Sequence, residues 1–101
     1  MVNEMLGIMI TKYENLEHII GVVNAARAAG HPVMIFMTDE GVKFMRDQKF
    51  LELLKVGGVD MVVCEHSCEQ IGIHDKAEGI SYGSQYNNAG MLQGSLRVLV
   101  F

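Results

Sequence analysis

The chain has 101 residues, which fits one domain spanning residues 1–101 and is too short for two. Half of the residues are apolar, so a hydrophobic core is feasible, and the net charge of −4 comes without any cluster of Lys or Arg. This argues against nucleic-acid binding, which needs a basic surface. No apolar run approaches the roughly 20 residues of a membrane span, so we expect no membrane insertion either.

The amino-terminal residues and the cysteine content indicate a reducing compartment. Residues 1–4 contain no basic side chain, whereas a signal peptide would begin with a positively charged region. Two cysteines without an export signal favour the cytoplasm, where thiols are more often catalytic or redox-active than structural. Eight methionines and no tryptophan are typical of an adaptable core or of an apolar surface that contacts another subunit. We therefore expect a cytoplasmic oligomer.

The first part of the chain predicts a strand–helix–strand unit. A nearly continuous apolar run over residues 5–10 indicates a strand that is covered on both faces. Apolar side chains then recur with helical spacing over residues 16–26, with Asn15 as the N-cap and Gly30 as the end of the helix. A second apolar run follows at residues 33–37. Such a unit joins two parallel strands by a right-handed crossover.

The alternation continues through the rest of the chain. Helical spacing covers residues 42–54, with a break near Asp47, and a third strand includes residues 61–63. We predict two further strands and one short helix, at residues 79–83, 96–101 and 84–92. Repeated strand–helix alternation predicts an α/β fold, a three-layer α/β/α sandwich around a mostly parallel five-stranded sheet of the flavodoxin-like kind.

Residues 59–72 are the most informative stretch for function. Cys64 follows the third strand, and Ser67 looks like the opening of a helix. The carboxyl end of a parallel strand facing a helix start is where open α/β sheets hold their ligands. Backbone N–H groups and the helix dipole there lower a thiol pKa from about 8.5 into the range of roughly 3.5–7.5. We predict a reactive thiolate at Cys64, with an inert buried strand cysteine as the alternative.

Other charged and thiol groups nearby bear on this prediction. Glu65 and Glu69 argue against a low thiol pKa, because nearby carboxylates raise it. Cys68 lies four residues after Cys64, one turn away if the segment is helical. A transient disulfide between the two thiols, or transfer of sulfur from one to the other, is therefore an open alternative. The C-x-x-x-C spacing differs from the C-x-x-C of thioredoxin-type sites. His66 is either a partner of the thiolate or a solvent-exposed loop histidine.

Two further features of the sequence bear on the same crevice. Residues 38–41, Thr-Asp-Glu-Gly, could line it, because loops after neighbouring parallel strands meet, although Asp and Gly also suit a plain turn. The spacing of Cys64, His66, Cys68 and His74 does not match the usual zinc-site spacings, so we predict no metal. Residues 83–85 offer hydrogen-bond donors, but no phosphate-binding glycine pattern accompanies them, and we predict no cofactor.

With these elements in place, three short motifs resemble the DsrE/DsrF family of small sulfur-relay proteins. Residues 36–42, Phe-Met-Thr-Asp-Glu-Gly-Val, are similar to the family's F-F-T-x-D-G-V junction. A cysteine, Cys64, ends the third strand eight positions before Gly72-Ile73. The final residues 97–101, Arg-Val-Leu-Val-Phe, resemble the family's closing D-R-V-L-T-F. The order and spacing of these motifs cover nearly the whole chain.

The resemblance implies a function for Cys64. In this family, which includes the Tus subunits used in tRNA thiolation, the strand-end cysteine accepts sulfane sulfur as a persulfide and passes it to a small partner protein. The family works as homo-oligomers, here a trimer or hexamer, or as hetero-oligomers of related subunits. Two departures stand out: Ile71 occupies a position where the family often has Arg, and Cys68 is a thiol that only some branches carry nearby.

Two other functions remain open from the sequence. One is a peroxiredoxin-like thiol redox protein that uses Cys64 and Cys68 as attacking and resolving groups. The other is a non-catalytic subunit whose fold mainly provides an assembly surface. The sulfur donor, the acceptor and the strand order are not specified by the sequence.

Overall fold

The computed structural model describes residues 4–74, 77–83 and 97–101. Five parallel strands form one sheet in the order β4-β3-β2-β1-β5. The strands are β1 Leu6–Ile10, β2 Val33–Met37, β3 Val59–Cys64, β4 Ile80–Gly83 and β5 Arg97–Val100. The predicted α/β fold with a parallel five-stranded sheet is confirmed. The strand order, which the sequence left open, has β1 between β2 and β5 and so differs from the 2-1-3-4-5 order of flavodoxin itself.

Helical segments connect the first four strands. They are α1 Leu16–Ala28, a 3₁₀ helix Asp39–Arg46, α2 Gln48–Leu51, a second 3₁₀ helix Glu52–Lys55, and α3 Glu65–Ile71. The predicted break at Asp47 is confirmed, since Asp47 caps α2 by accepting a hydrogen bond from the Phe50 N–H at 3.1 Å. Asn15 is the N-cap residue of α1, but its left-handed backbone (φ 67°) leaves its side chain without a cap hydrogen bond. Helix α3 begins at Glu65, two positions before the predicted start at Ser67.

The main hydrophobic core lies on one face of the sheet. Ile8, Ile35 and Met61 are in register on neighbouring strands and are at most 1% exposed. Ile19 of α1 and Phe50 of α2 pack in the same cluster. The chain moves from β1 to β4 in one direction across the sheet, and right-handed crossovers in one direction put their helices on one face. The described helices therefore form a single layer.

The opposite face carries a second, smaller cluster. Side chains alternate along a strand, so Val63 points into the main core while Cys64 points to the other face. There Cys64 and Phe36 are buried among partly buried apolar side chains, which are Met9, Met34, Val62 and Val98. The third layer of the predicted sandwich depends on the connection between β4 and β5. Residues 84–96, with the predicted helix 84–92, lie outside the described residues.

Of the helices in the described part of the chain, none combines the length and the apolar character needed to cross a bilayer. The longest, α1, has 13 residues.

Candidate functional site

A pocket of about 530 Å³ opens at the carboxyl edge of the sheet. It lies where β2, β3 and β4 end side by side, which is the usual position of a ligand crevice in an open α/β sheet. Its lining residues are Thr38, Asp39, Cys64, Glu65, His66, Ser67, Glu69, Gln70 and Gly83. The prediction that the loop after β2 shares a crevice with Cys64 is thus confirmed for Thr38 and Asp39. Ser84 and Gln85 lie outside the described residues.

Cys64 lies between β3 and α3, and between an apolar cluster and the pocket. It is the last residue of β3 and the N-cap residue of α3. Its side chain is only 3% exposed and packs with Phe36, yet Cys64 also lines the pocket. A reacting sulfur atom would therefore approach Cys64 through the pocket, with the apolar cluster behind it.

Two buried hydroxyl groups lie beside this cysteine. Thr38, the residue directly after β2, is 5% exposed, while Ser67 in the first turn of α3 is 3% exposed. Their oxygens are 3.2 Å apart, and the Ser67 hydroxyl accepts a hydrogen bond from the Asp39 N–H at 3.0 Å. A hydroxyl has one proton to donate and two lone pairs. Because the Asp39 N–H fills one lone pair of Ser67, the Ser67 proton remains available to Cys64 or Thr38.

These groups change the acidity of Cys64. Burial by itself raises the pKa of the thiol, since it disfavours the charged form. The hydroxyl and the backbone N–H of Ser67, the Thr38 hydroxyl and the His66 N–H act in the other direction, and the net pKa of Cys64 is lowered. The Cys64 side chain makes no cap hydrogen bond on α3, and the lowered pKa reflects the stabilisation of the thiolate by these nearby donors. Glu65 and Glu69 do not reverse the effect.

Cys68 lies in a different environment. It belongs to the main core, is 4% exposed, and its Sγ is 3.9 Å from the Sδ of Met45. Burial raises the pKa of its thiol, and the charges of Cys64 and Glu65 raise it further. The carboxylate effect that the sequence predicts thus acts on Cys68. Cys68 borders a separate pocket of about 410 Å³, which also contacts Ile73 and His74.

His66 is exposed on α3 and lines the Cys64 pocket. Its backbone N–H, rather than its imidazole, contributes to the lowered pKa of Cys64. Among residues 4–74, 77–83 and 97–101, no three His, Cys, Asp or Glu side chains are grouped as metal ligands would be. The chemistry that these residues can support is that of a thiolate held between hydroxyl and amide donors.

The two cysteines should differ in reactivity with iodoacetamide. We expect Cys64 to be alkylated at a lower pH than Cys68, because only the thiolate reacts and the pKa of Cys64 is lowered while that of Cys68 is raised. Brief alkylation of the native protein over a series of pH values, followed by peptide mass spectrometry, measures both. A free cysteine peptide in the same tube is the reference. Preferential labelling of Cys68 near neutral pH would contradict this assignment.

The sheet and the thiol together define a class: a small parallel α/β protein with a cysteine at the end of its third strand, inside the sheet-edge crevice. The chain belongs to the DsrE/DsrF-like family, whose family model matches residues 6–101. Membership indicates a role in sulfur relay in general terms, and members of the family are typically oligomeric.

A solved structure shows the same fold. The chain is similar to the ychN protein from E. coli, whose crystal structure superposes with a TM-score of 0.73 at 17% sequence identity. The similarity covers 99% of this chain and 100% of that one. At this identity the likeness establishes the architecture alone. No curated protein sequence matches the chain.

Proposed function

We propose that this protein is a sulfur carrier that holds sulfane sulfur as a persulfide on Cys64 and passes it to a partner protein. The observation that carries the proposal is the surrounding of Cys64: a thiol of lowered pKa at the end of β3, lining a pocket and facing the buried hydroxyls of Thr38 and Ser67. The family to which the chain belongs supports the same role. We place the carrier in the cytoplasm as an oligomer of its own or of related subunits.

The loading step is a thiolate attack on a persulfide. The Cys64 thiolate attacks the outer sulfur of a donor R–S–SH, a new S–S bond forms at Cys64, and the S–S bond of the donor breaks. The donor leaves as the thiolate RS⁻, and Cys64 carries the sulfur as Cys64–S–SH. In the transfer step an acceptor thiolate attacks that outer sulfur and Cys64 leaves as a thiolate. A low pKa favours Cys64 both as the ionised nucleophile and as the leaving group.

Mass spectrometry of the intact protein tests the loading step. After exposure to a small persulfide whose carbon skeleton is uncharged, we expect the wild-type protein to gain one sulfur atom, which dithiothreitol removes. Cys64→Ser should lose this gain completely, while Cys68→Ser, the matched control at the neighbouring thiol, should keep it. Equal sulfur gain by wild type and Cys64→Ser would reject the proposal.

A disulfide-based function predicts a different outcome. If Cys64 and Cys68 were an attacking and a resolving thiol, peroxide would produce a Cys64–Cys68 disulfide and the persulfide donor would leave no added sulfur. The raised pKa of Cys68 and its contact with Met45 in the core favour the carrier over this alternative. A non-catalytic subunit would respond to neither reagent.

A further inference from the structure

The pocket that contains Cys64 has an acidic rim. Three of its lining side chains, those of Asp39, Glu65 and Glu69, are carboxylates, and all three residues are exposed. Among the described residues, no Lys or Arg lines the pocket, and His66 is the one lining side chain there that can carry a positive charge. We use the term acidic rim for Asp39, Glu65 and Glu69 together.

Among the described residues, Lys12 and Lys43 follow strands that end at the same edge of the sheet as the pocket. Lys43, on the 3₁₀ helix that follows Asp39, is already paired with Glu40 at 2.5 Å. Lys12 follows β1, which is separated from β3 by β2. Residues 84–96, which follow β4, contain no charged side chain in the sequence. The negative charge at the mouth of the pocket is therefore not offset by the segment that leaves β4.

This charge has a consequence for the sulfur donor and acceptor. The Cys64 thiolate, the thiolate that leaves the donor and the attacking thiolate of the acceptor are all anionic. Charges that line a cleft focus the electric field and change association rates by factors of about 10–10³. An acidic entrance opposes a small anionic persulfide, and basic groups beside the incoming sulfur relieve the repulsion.

We propose that the acidic rim selects a partner protein whose sulfur-bearing cysteine is flanked by lysine or arginine. This inference rests on the proposed sulfur-carrier function and names the class of partner for the same site. The basic flanks contact the carboxylates at the mouth, while the sulfur of the partner reaches Cys64 inside. Small anionic persulfides are poor donors by the same mechanism.

Two persulfidated peptides of equal length test the selection, one with Lys on both sides of its cysteine and one with Glu. At low ionic strength we expect the Lys peptide to load Cys64 at least about tenfold faster. In about 0.5 M salt the ratio should shrink strongly, because the Debye length falls below about 5 Å. The readout is the rate of sulfur gain by mass spectrometry of the full chain.

Variants assign the preference to the rim. In Glu65→Gln/Glu69→Gln, which keeps Cys64, Thr38 and Ser67, the ratio of the two loading rates (Lys peptide to Glu peptide) should fall close to one. Glu4→Gln/Glu78→Gln is the matched control, since these exposed residues precede β1 and β4 and lie at the opposite edge of the parallel sheet. The control should keep the wild-type ratio.

The outcomes separate this inference from the proposed function. Equal loading by the two peptides, faster loading by the Glu peptide, or an unchanged ratio in Glu65→Gln/Glu69→Gln would each overturn the inference while leaving the carrier function in place. Failure of both peptides and of the uncharged donor to load Cys64 would reject the carrier function itself.

Discussion

Gly41→Ala is expected to lower the free energy of unfolding by about 3 kcal/mol, at the upper end of the usual cost of overpacking. A Cβ at this position would lie 2.2 Å from the carbonyl oxygen of Ile10 and 2.7 Å from its carbonyl carbon. Those are backbone atoms of β1, whose pairing with β2 fixes their position. The 3₁₀ helix and the strand edge would therefore have to separate. Urea denaturation measures the loss, which for a domain of this size corresponds to roughly 15 °C in Tm.

Gly21→Ala is the matched control for this substitution. Gly21 is exposed within α1, and a Cβ there meets no atom within 4 Å. Alanine is about 1 kcal/mol more favourable than glycine inside a helix, so this variant should be more stable than the wild type. If Gly41→Ala were as stable as the wild type, the loop after β2 would be free to move, and the fixed position of Thr38 at the pocket would be in doubt.

The strands of this fold follow from simple patterns in the sequence. The apolar runs at residues 5–10 and 33–37 match β1 and β2 to within one residue, because strands buried on both faces have few polar positions. The location of Cys64 at the carboxyl edge of the sheet follows from the same pattern. The strand order is different, since it depends on which strands pair across the sheet, and no local pattern records that choice.

The polar part of the site was only partly predictable. The motif at residues 38–41 predicts Thr38 near the crevice, whereas the sequence pattern around Ser67 predicts only the start of a helix. The hydrogen bond between the two hydroxyls joins residues 29 positions apart, and it exists because β2 and β3 are neighbours in the sheet. A buried Ser or Thr leaves no periodic signal. The roles of these hydroxyls become visible only in three dimensions.

Ser67→Ala is expected to slow sulfur loading of Cys64 at neutral pH by about tenfold or more. The substitution removes a hydroxyl that faces the thiol, and its loss raises the pKa of Cys64. A hydrogen bond to a charged group contributes about 1.5–3 kcal/mol, which corresponds to a factor of ten or more in the fraction of thiolate. The Asp39 N–H also loses its acceptor, so a modest loss of stability should accompany the change.

The pH profile of loading distinguishes this ionisation effect from a distorted site. A thiol is converted to the reactive thiolate as the pH rises above its pKa, so the profile of Ser67→Ala should shift to higher pH and reach the wild-type rate at alkaline pH. Ser67→Thr, which keeps the hydroxyl, should restore most of the loading at neutral pH. Thr38→Val should shift the profile in the same direction as Ser67→Ala, because the Thr38 hydroxyl also lowers the pKa of Cys64. A rate that stays low at every pH would mean that Ser67 shapes the pocket without ionising the thiol.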